Sequence, residues 1–189
     1  MLTFNFTPFP IIATERLLLR QLTLEDEKEI FLLRSDEGVN RYLDRPKAQT
    51  IKDARNFIQN INEGISNNDR IYWAVRLIEN PRLVGTIGLW NLSAEKAAAE
   101  IGYELLPSFQ GKGIMQEALT KVIEFGFQTM QLQILEAWVS KANNSSIRTL
   151  ERNHFRRDFI MESEMPSEEK EKGMIIYTLK RHEPLNEIR

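Results

Sequence analysis

AEIGYELLPSFQGKGIMQEAL, residues 99–119, runs from a strand-like segment into a helix start through two glycines set around a lysine. Residues 97–106 read as a strand. Met115, Ala118, Leu119, Val122, Ile123 and Gly126 recur at i, i+3 and i+4 spacing, which predicts a helix over 114–128. The first N–H groups of a helix have no internal partner, and the helix dipole adds partial positive charge there. A phosphate at that point meets several free donors at once. Gly111 and Gly113 let the backbone approach an anion and adopt positive φ, and Lys112 adds charge nearby. Two familiar phosphate loops do not fit. A P-loop requires GxxxxGK followed by Ser or Thr, but here Ile114 follows Gly113 and no hydroxyl stands ready for magnesium. A dinucleotide fingerprint requires a third glycine, where Gln116 stands. Taken alone, the loop also reads as an ordinary helix N-terminus with flexible glycines.

Working outward, Arg16–Arg20 is a short apolar strand, and Thr23 followed by Glu25, Asp26 and Glu27 reads as a capped helix start. Ile51, Ala54, Phe57, Ile58 and Ile61 give a second helix an apolar face over 51–65. Residues 71–78 and 83–91 form a strand pair turning at Asn80-Pro81, and glycines 85, 88 and 102 inside strands point to bulges or close backbone approach. Leu132–Val139 is a strand, Ser145–Asn153 a short helix, and 155–162 with 174–180 a final strand pair. The order predicts one α/β domain over residues 1–189. Its sheet is mixed and mostly antiparallel, with about seven strands, four helices and one strand–helix–strand crossover.

Composition narrows the function. With 189 residues, 42% hydrophobic and 28% charged, the chain suits a single globular domain with a full core. A net charge of −2 gives no support to direct nucleic-acid binding. Zero cysteines exclude a disulfide framework, a thiolate nucleophile and a cysteine metal site. His154 and His182 are too few for a histidine metal centre, so no metal is expected. No apolar run reaches membrane-spanning length and the N-terminus lacks a secretory pattern, which leaves the cytoplasm as the default location.

Residues 99–119 resemble the central motif of the GNAT acetyltransferases. That family's loop, Gln/Arg-x-x-Gly-x-Gly/Ala, reads here Gln110-Gly111-Lys112-Gly113-Ile114-Met115, with Met115 departing at the last position. TERLLLRQLTLEDEKEI (14–30) is similar to the opening of the RimJ/RimL-like subgroup, whose members acetylate protein N-termini among other amines. VGTIGLWNL (84–92) is similar to its third strand. ANNSSIRTLERNHF (142–155) is similar to its Asn-x-x-Ser…Leu…Gly-Phe segment through Asn143, Ser146, Leu150 and Phe155, with His154 in the glycine's place. The resemblance spans about residues 14–180. It implies a GNAT-type sheet splayed between its fourth and fifth strands (97–106 and 132–139) and acetyl-CoA as cosubstrate. The pyrophosphate would lie on the backbone amides of 111–115, beside Gln110 and Lys112. The pantetheine arm would pair with the backbone of Leu105 and Leu106, and Asn143 would touch the pantetheine or acetyl end.

Acyl transfer to an amine needs a neutral nitrogen, a polarised carbonyl and a stabilised leaving thiolate. Glu100 is the candidate base, acting through water from five to six residues before the splay; its other reading is a solvated strand carboxylate. By alternation it shares a face with Gly102 and Glu104, and Glu104 reads as a surface residue. Ser146 is the candidate partner of the departing sulfur, or else a helix N-cap. The Leu105 N–H could polarise the carbonyl. Tyr103 fits core or cleft, and His154 a structural position at a helix end. The acidic stretch 162–171 is expected to form a loop that attracts a cationic acceptor. The expected function is N-acetylation of a primary amine by a monomer or homodimer, the N-terminus of a ribosomal protein being one such acceptor. Acetylation of a polyamine or antibiotic, a non-catalytic acetyl-CoA sensor and a nucleotide-binding domain are the alternatives.

Overall fold

A computed structural model describes residues 2–181; His182 lies outside them. The chain forms β1 (Ile12–Ala13), β2 (Leu17–Gln21), α1 (Glu27–Ser35), α2 (Glu37–Asn40), α3 (Ile51–Ser66), β3 (Ile71–Leu77), β4 (Leu83–Ser93) and β5 (Ala98–Leu105). It continues through α4 (Ile114–Glu124), β6 (Ile134–Ser140), α5 (Asn144–Arg152), β7 (Arg156–Arg157), α6 (Phe159–Glu164), α7 (Ser167–Glu171) and β8 (Met174–Lys180). Strand order is β1-β2-β3-β4-β5-β6-β8-β7. Every pairing is antiparallel except β5–β6, whose connection is the expected crossover through α4.

Helix starts follow side-chain chemistry. At α3 the Thr50 side chain and Asp53 form a reciprocal capping box, and at α5 Asn143 Oδ1 accepts the Ser146 N–H at 3.1 Å. The core joins Leu17, Leu19, Trp73, Ile87 and Leu89 of the sheet to Ala118, Leu119 and Val122 of α4 and to Ala54, Ile58 and Ile61 of α3. The helical period read from the sequence therefore marks the faces that bury apolar area.

Three details depart from the expected layout. The sheet has eight strands, because β1 adds a short edge. Seven α-helices appear among the described residues, the extra ones being the short α2, α6 and α7. Residues 155–162 are not a strand: only Arg156 and Arg157 pair with β8, and then Asp158 accepts the N–H groups of Ile160 and Met161 and starts α6. The acidic stretch 162–171, expected as a loop, instead spans the end of α6 and all of α7, broken at Met165-Pro166. Gly88 and Gly102 serve close approach, whereas Gly85 adjoins a bulge at Val84, the residue skipped between the Val75–Gly85 and Arg76–Leu83 pairs. A Cβ on Gly88 would lie 2.3 Å from the Tyr72 ring, and one on Gly102 would lie 2.3 Å from the Trp90 ring. A second irregularity falls at Trp90/Ser93.

Candidate functional site

The parallel pair β5–β6 lasts for three residues, Ala98–Glu100 against Ile134–Glu136. Beyond it β6 stays with β8, while β5 continues with β4 to Leu105. The sheet therefore opens directly after Glu100, closer to that residue than expected. The Leu106 N–H donates to Val84 O at 2.9 Å, which by antiparallel alternation turns the N–H groups of Tyr103 and Leu105 into the gap. Gln110 Nε2 donates to the Leu105 carbonyl at 2.9 Å. Leu106 differs from expectation: its N–H is engaged by Val84, its carbonyl accepts the Phe109 N–H, and it lines neither cavity described below.

On one side of the gap lies a cavity of about 350 Å³, lined by Leu105, Gln110, Gly111, Gly113, Met115 and Gln116 among others. Gly111 and Gly113 both have φ of +73°, a left-handed conformation that strains other residues. The first helical N–H to find a carbonyl is that of Glu117, on Gly113 O at 3.1 Å, so the amides of Ile114, Met115 and Gln116 precede any helix carbonyl. Arg16, just before β2, braces the loop: it pairs with Glu117 at 2.7 Å and donates to Lys112 O at 3.1 Å. The Lys112 ammonium lies over the Phe109 ring, 5.4 Å from its centroid, and not in the cavity wall. Arg148 and Arg152, four residues apart on α5, supply charge there instead. Gln116 Oε1 is buried without a hydrogen-bond partner.

On the other side lies a cavity of about 820 Å³. Tyr72, Trp90 and Trp138 give it aromatic walls, and Glu100 stands in it with Glu104 and Arg45. The register of β4 on β5 is unbroken from Gly85–Leu105 to Trp90–Glu100, so Glu100, Gly102 and Glu104 share one face as expected. Asn91 Nδ2 donates to Glu100 Oε2 at 2.8 Å. Burial raises the Glu100 carboxyl above the usual glutamate range, against the opposing hydrogen bonds of Asn91 and Trp90 and with the Glu136 charge adding to it. Glu104 is no surface residue: its side chain is 11% exposed and takes both Nη atoms of Arg45 at 2.5 Å. Segment 41–45 is pinned a second time where Lys172, after α7, meets Asp44 at 2.7 Å. Lys172 also holds Glu168 and Glu169, and Arg157 holds Glu162, so much of the acidic stretch is locally neutralised.

The two cavities share Tyr42, Leu43, Tyr103, Glu104, Asn143 and Ser146. Asn143 is the N-cap of α5, which leaves the Ser146 hydroxyl out of that role; it bonds the Tyr103 hydroxyl at 3.0 Å. Tyr103 thus belongs to the cleft. His154 is exposed, lines neither cavity and has φ of 66°. Its N–H reaches Glu151 O and that of Phe155 reaches Leu150 O, the paired closure at a helix end that usually employs glycine. Among the described residues no acidic or histidine cluster could hold a metal, and no helix is long and apolar enough to cross a membrane.

This splayed sheet with a glycine-opened helix matches known proteins. Residues 16–156 match the acetyltransferase (GNAT) domain. The chain belongs to the GNAT acetyltransferase family. It is 32% identical to the uncharacterized N-acetyltransferase YoaA of Bacillus subtilis (strain 168) over 157 residues, 83% of this chain and 89% of that protein. The crystal structure of a GNAT-family acetyltransferase from Bacillus anthracis superposes with a TM-score of 0.75 at 25% identity, covering 90% of this chain and 98% of that one. RimL, a ribosomal L7/L12 α-N-protein acetyltransferase solved with coenzyme A, gives 0.77 at 19% identity over 90% and 98%, a likeness of fold. As a GNAT protein the chain is an acetyl-CoA-dependent N-acetyltransferase.

Proposed function

We propose that this GNAT enzyme acetylates a primary amine admitted through the aromatic cavity, with the α-amine of a peptide or protein N-terminus as its preferred acceptor. The supporting observation is that a glycine-loop cavity and an aromatic, acid-bearing cavity meet at Tyr103, Asn143 and Ser146, in the gap between β5 and β6. One side suits acetyl-CoA. Gly111 and Gly113, the open amides of Ile114, Met115 and Gln116, and the cations of Arg148 and Arg152 belong to the wall of the space where a diphosphate would lie. The Leu105 N–H, turned into the gap, suits the amide-bearing pantetheine arm. The Leu105 N–H can instead polarise the thioester carbonyl.

On the other side Glu100 receives the ammonium proton. Three residue steps along β5, about 10 Å of rise, separate it from Tyr103, so the proton travels through water. A raised glutamate is a stronger base than an ordinary one, and an α-amine with pKa near ~7.7–8.0 needs only modest help. The neutral nitrogen attacks the thioester carbonyl, the C–S bond breaks with its electron pair leaving on sulfur beside the Ser146 hydroxyl, and the nitrogen sheds its second proton to water to give the amide. Holding both reactants in one cleft supplies rate by orientation.

The pinning of segment 41–45 by Glu104 and Lys172 walls the acceptor cavity and favours a narrow entrant, a chain end or a small amine, over an internal lysine on a folded surface. A panel of free and N-terminally blocked peptides, polyamines and aminoglycosides, read by release of the coenzyme A thiol, tests the assignment. Free peptides should turn over and blocked ones should not. Turnover with small amines alone would move the acceptor to that class, and coenzyme binding with no turnover anywhere would make the protein a sensor.

A further inference from the structure

The proposed chemistry leaves one group without a role: the Tyr103 hydroxyl, at the point where the cavities meet. It lies 3.0 Å from Ser146 Oγ and 3.2 Å from the Ser146 carbonyl. Tyr103 is on β5 and Ser146 on α5, so the bond crosses the gap between the separated strands. Ser146 Oγ makes no other hydrogen bond among the described residues, because Asn143 caps the helix in its place.

We infer that Tyr103 is a positioning residue for acetyl transfer, fixing the Ser146 hydroxyl so that its proton points at the departing sulfur. This rests on the acetyltransferase function proposed above. The two oxygens carry one proton each, which allows two arrangements. In the first, Tyr103 donates to the Ser146 carbonyl and Ser146 donates to Tyr103, so the serine proton is committed to the phenol and is not available to the sulfur. In the second, Tyr103 donates to Ser146 Oγ, and the serine O–H is free to donate into the cleft. A developing thiolate accepts a hydrogen bond and so selects the second arrangement, in which the two donors polarise one another. Proton transfer is not required. Burial pushes the Tyr103 phenol up to about 12, well above a thiol near ~8.5, so the thiolate leaves as the anion and Tyr103 keeps its proton.

The test is a double-mutant cycle with Tyr103→Phe and Ser146→Ala, under acetyl-CoA turnover with the best acceptor and with coenzyme A binding measured separately. Tyr103→Phe removes one oxygen and leaves the ring. It should lower kcat about tenfold, with coenzyme A affinity and acceptor KM within twofold. The double variant should be no slower than Ser146→Ala alone, since Tyr103 acts only through that serine. A full-rate Tyr103→Phe beside a slow Ser146→Ala would overturn the assignment. So would additive losses, or a loss confined to KM. These outcomes are distinct from failure of the acetyltransferase function itself, which would appear as no turnover by the unaltered protein.

Discussion

The two cavities that meet at Tyr103 are made of different material. The side proposed for the coenzyme is largely backbone, with two left-handed glycines, the open amides of α4 and the strand edge at Leu105, and draws its charge from Arg148 and Arg152. The side proposed for the acceptor is built of side chains from distant parts of the chain, with Arg45 reaching Glu104 and Lys172 reaching Asp44. Backbone tolerates little sequence change, because only glycine fits those dihedrals without strain. Side-chain walls can be exchanged residue by residue. The contrast teaches that one fold can hold its cosubstrate fixed while leaving acceptor choice adjustable.

The sharpest way to break this division is at Glu100. Glu100→Gln should lower kcat at least a hundredfold and leave coenzyme A affinity unchanged, as measured by steady-state kinetics and titration. A base must be deprotonated, so the unaltered enzyme should lose rate as pH falls through a value above the ordinary glutamate range, and the variant should lack that limb. The stability sign is opposite. A raised carboxyl stabilises the fold below its unfolded pKa, and that stability is lost as pH rises through the folded value. Glu100→Gln should therefore melt no lower than the parent at neutral pH, and a lower melt would contradict the assigned burial effect.

Next in size is the glycine loop. Gly113→Ala places a Cβ at φ +73° and should weaken coenzyme A binding at least tenfold by titration. It should also destabilise the fold by about 1–2 kcal/mol in denaturant unfolding. Acceptor selectivity, compared by competition between two amines, should not move.

The acceptor wall responds in the reverse sense. Arg45→Met strands the mostly buried Glu104 and should cost about 2–3 kcal/mol, with a raised acceptor KM and unchanged coenzyme A affinity. Arg45→Met with Glu104→Leu should recover part of that stability. Smallest is His154→Gly, which relieves a left-handed residue at an exposed helix end. It should stabilise by about 0.5–1 kcal/mol and leave all kinetic constants alone.

The coenzyme side was legible in the sequence for the same reason that it resists change. Gly111 and Gly113 announce a backbone demand, and the apolar period from Met115 announces the helix behind it. The fold followed from such local signals, and its β5–β6 crossover from the order of elements. On the acceptor side Glu100 was legible as a strand carboxylate before the expected splay, but its surroundings were not. Arg45 and Glu104 lie 59 residues apart, so Glu104 read as a surface residue. Tyr103 was ambiguous because its strand neighbours Ile101 and Leu105 are apolar, whereas the loss of β6 beyond Glu100 turns it into a cleft residue. Arg148 and Arg152 had a signal in their i, i+4 spacing on α5, but charge at that spacing ordinarily marks a solvated face. Asp158 likewise ends a strand and starts a helix by its capping bonds, which made 155–162 look like continuous strand.

The structure of the protein with coenzyme A bound is the most direct test of the whole account. The diphosphate should lie on the amides of residues 111–116, with the sulfur at hydrogen-bond distance from Ser146 Oγ in the gap between β5 and β6. A diphosphate seated elsewhere, or a sulfur directed away from Ser146 and Tyr103, would contradict it.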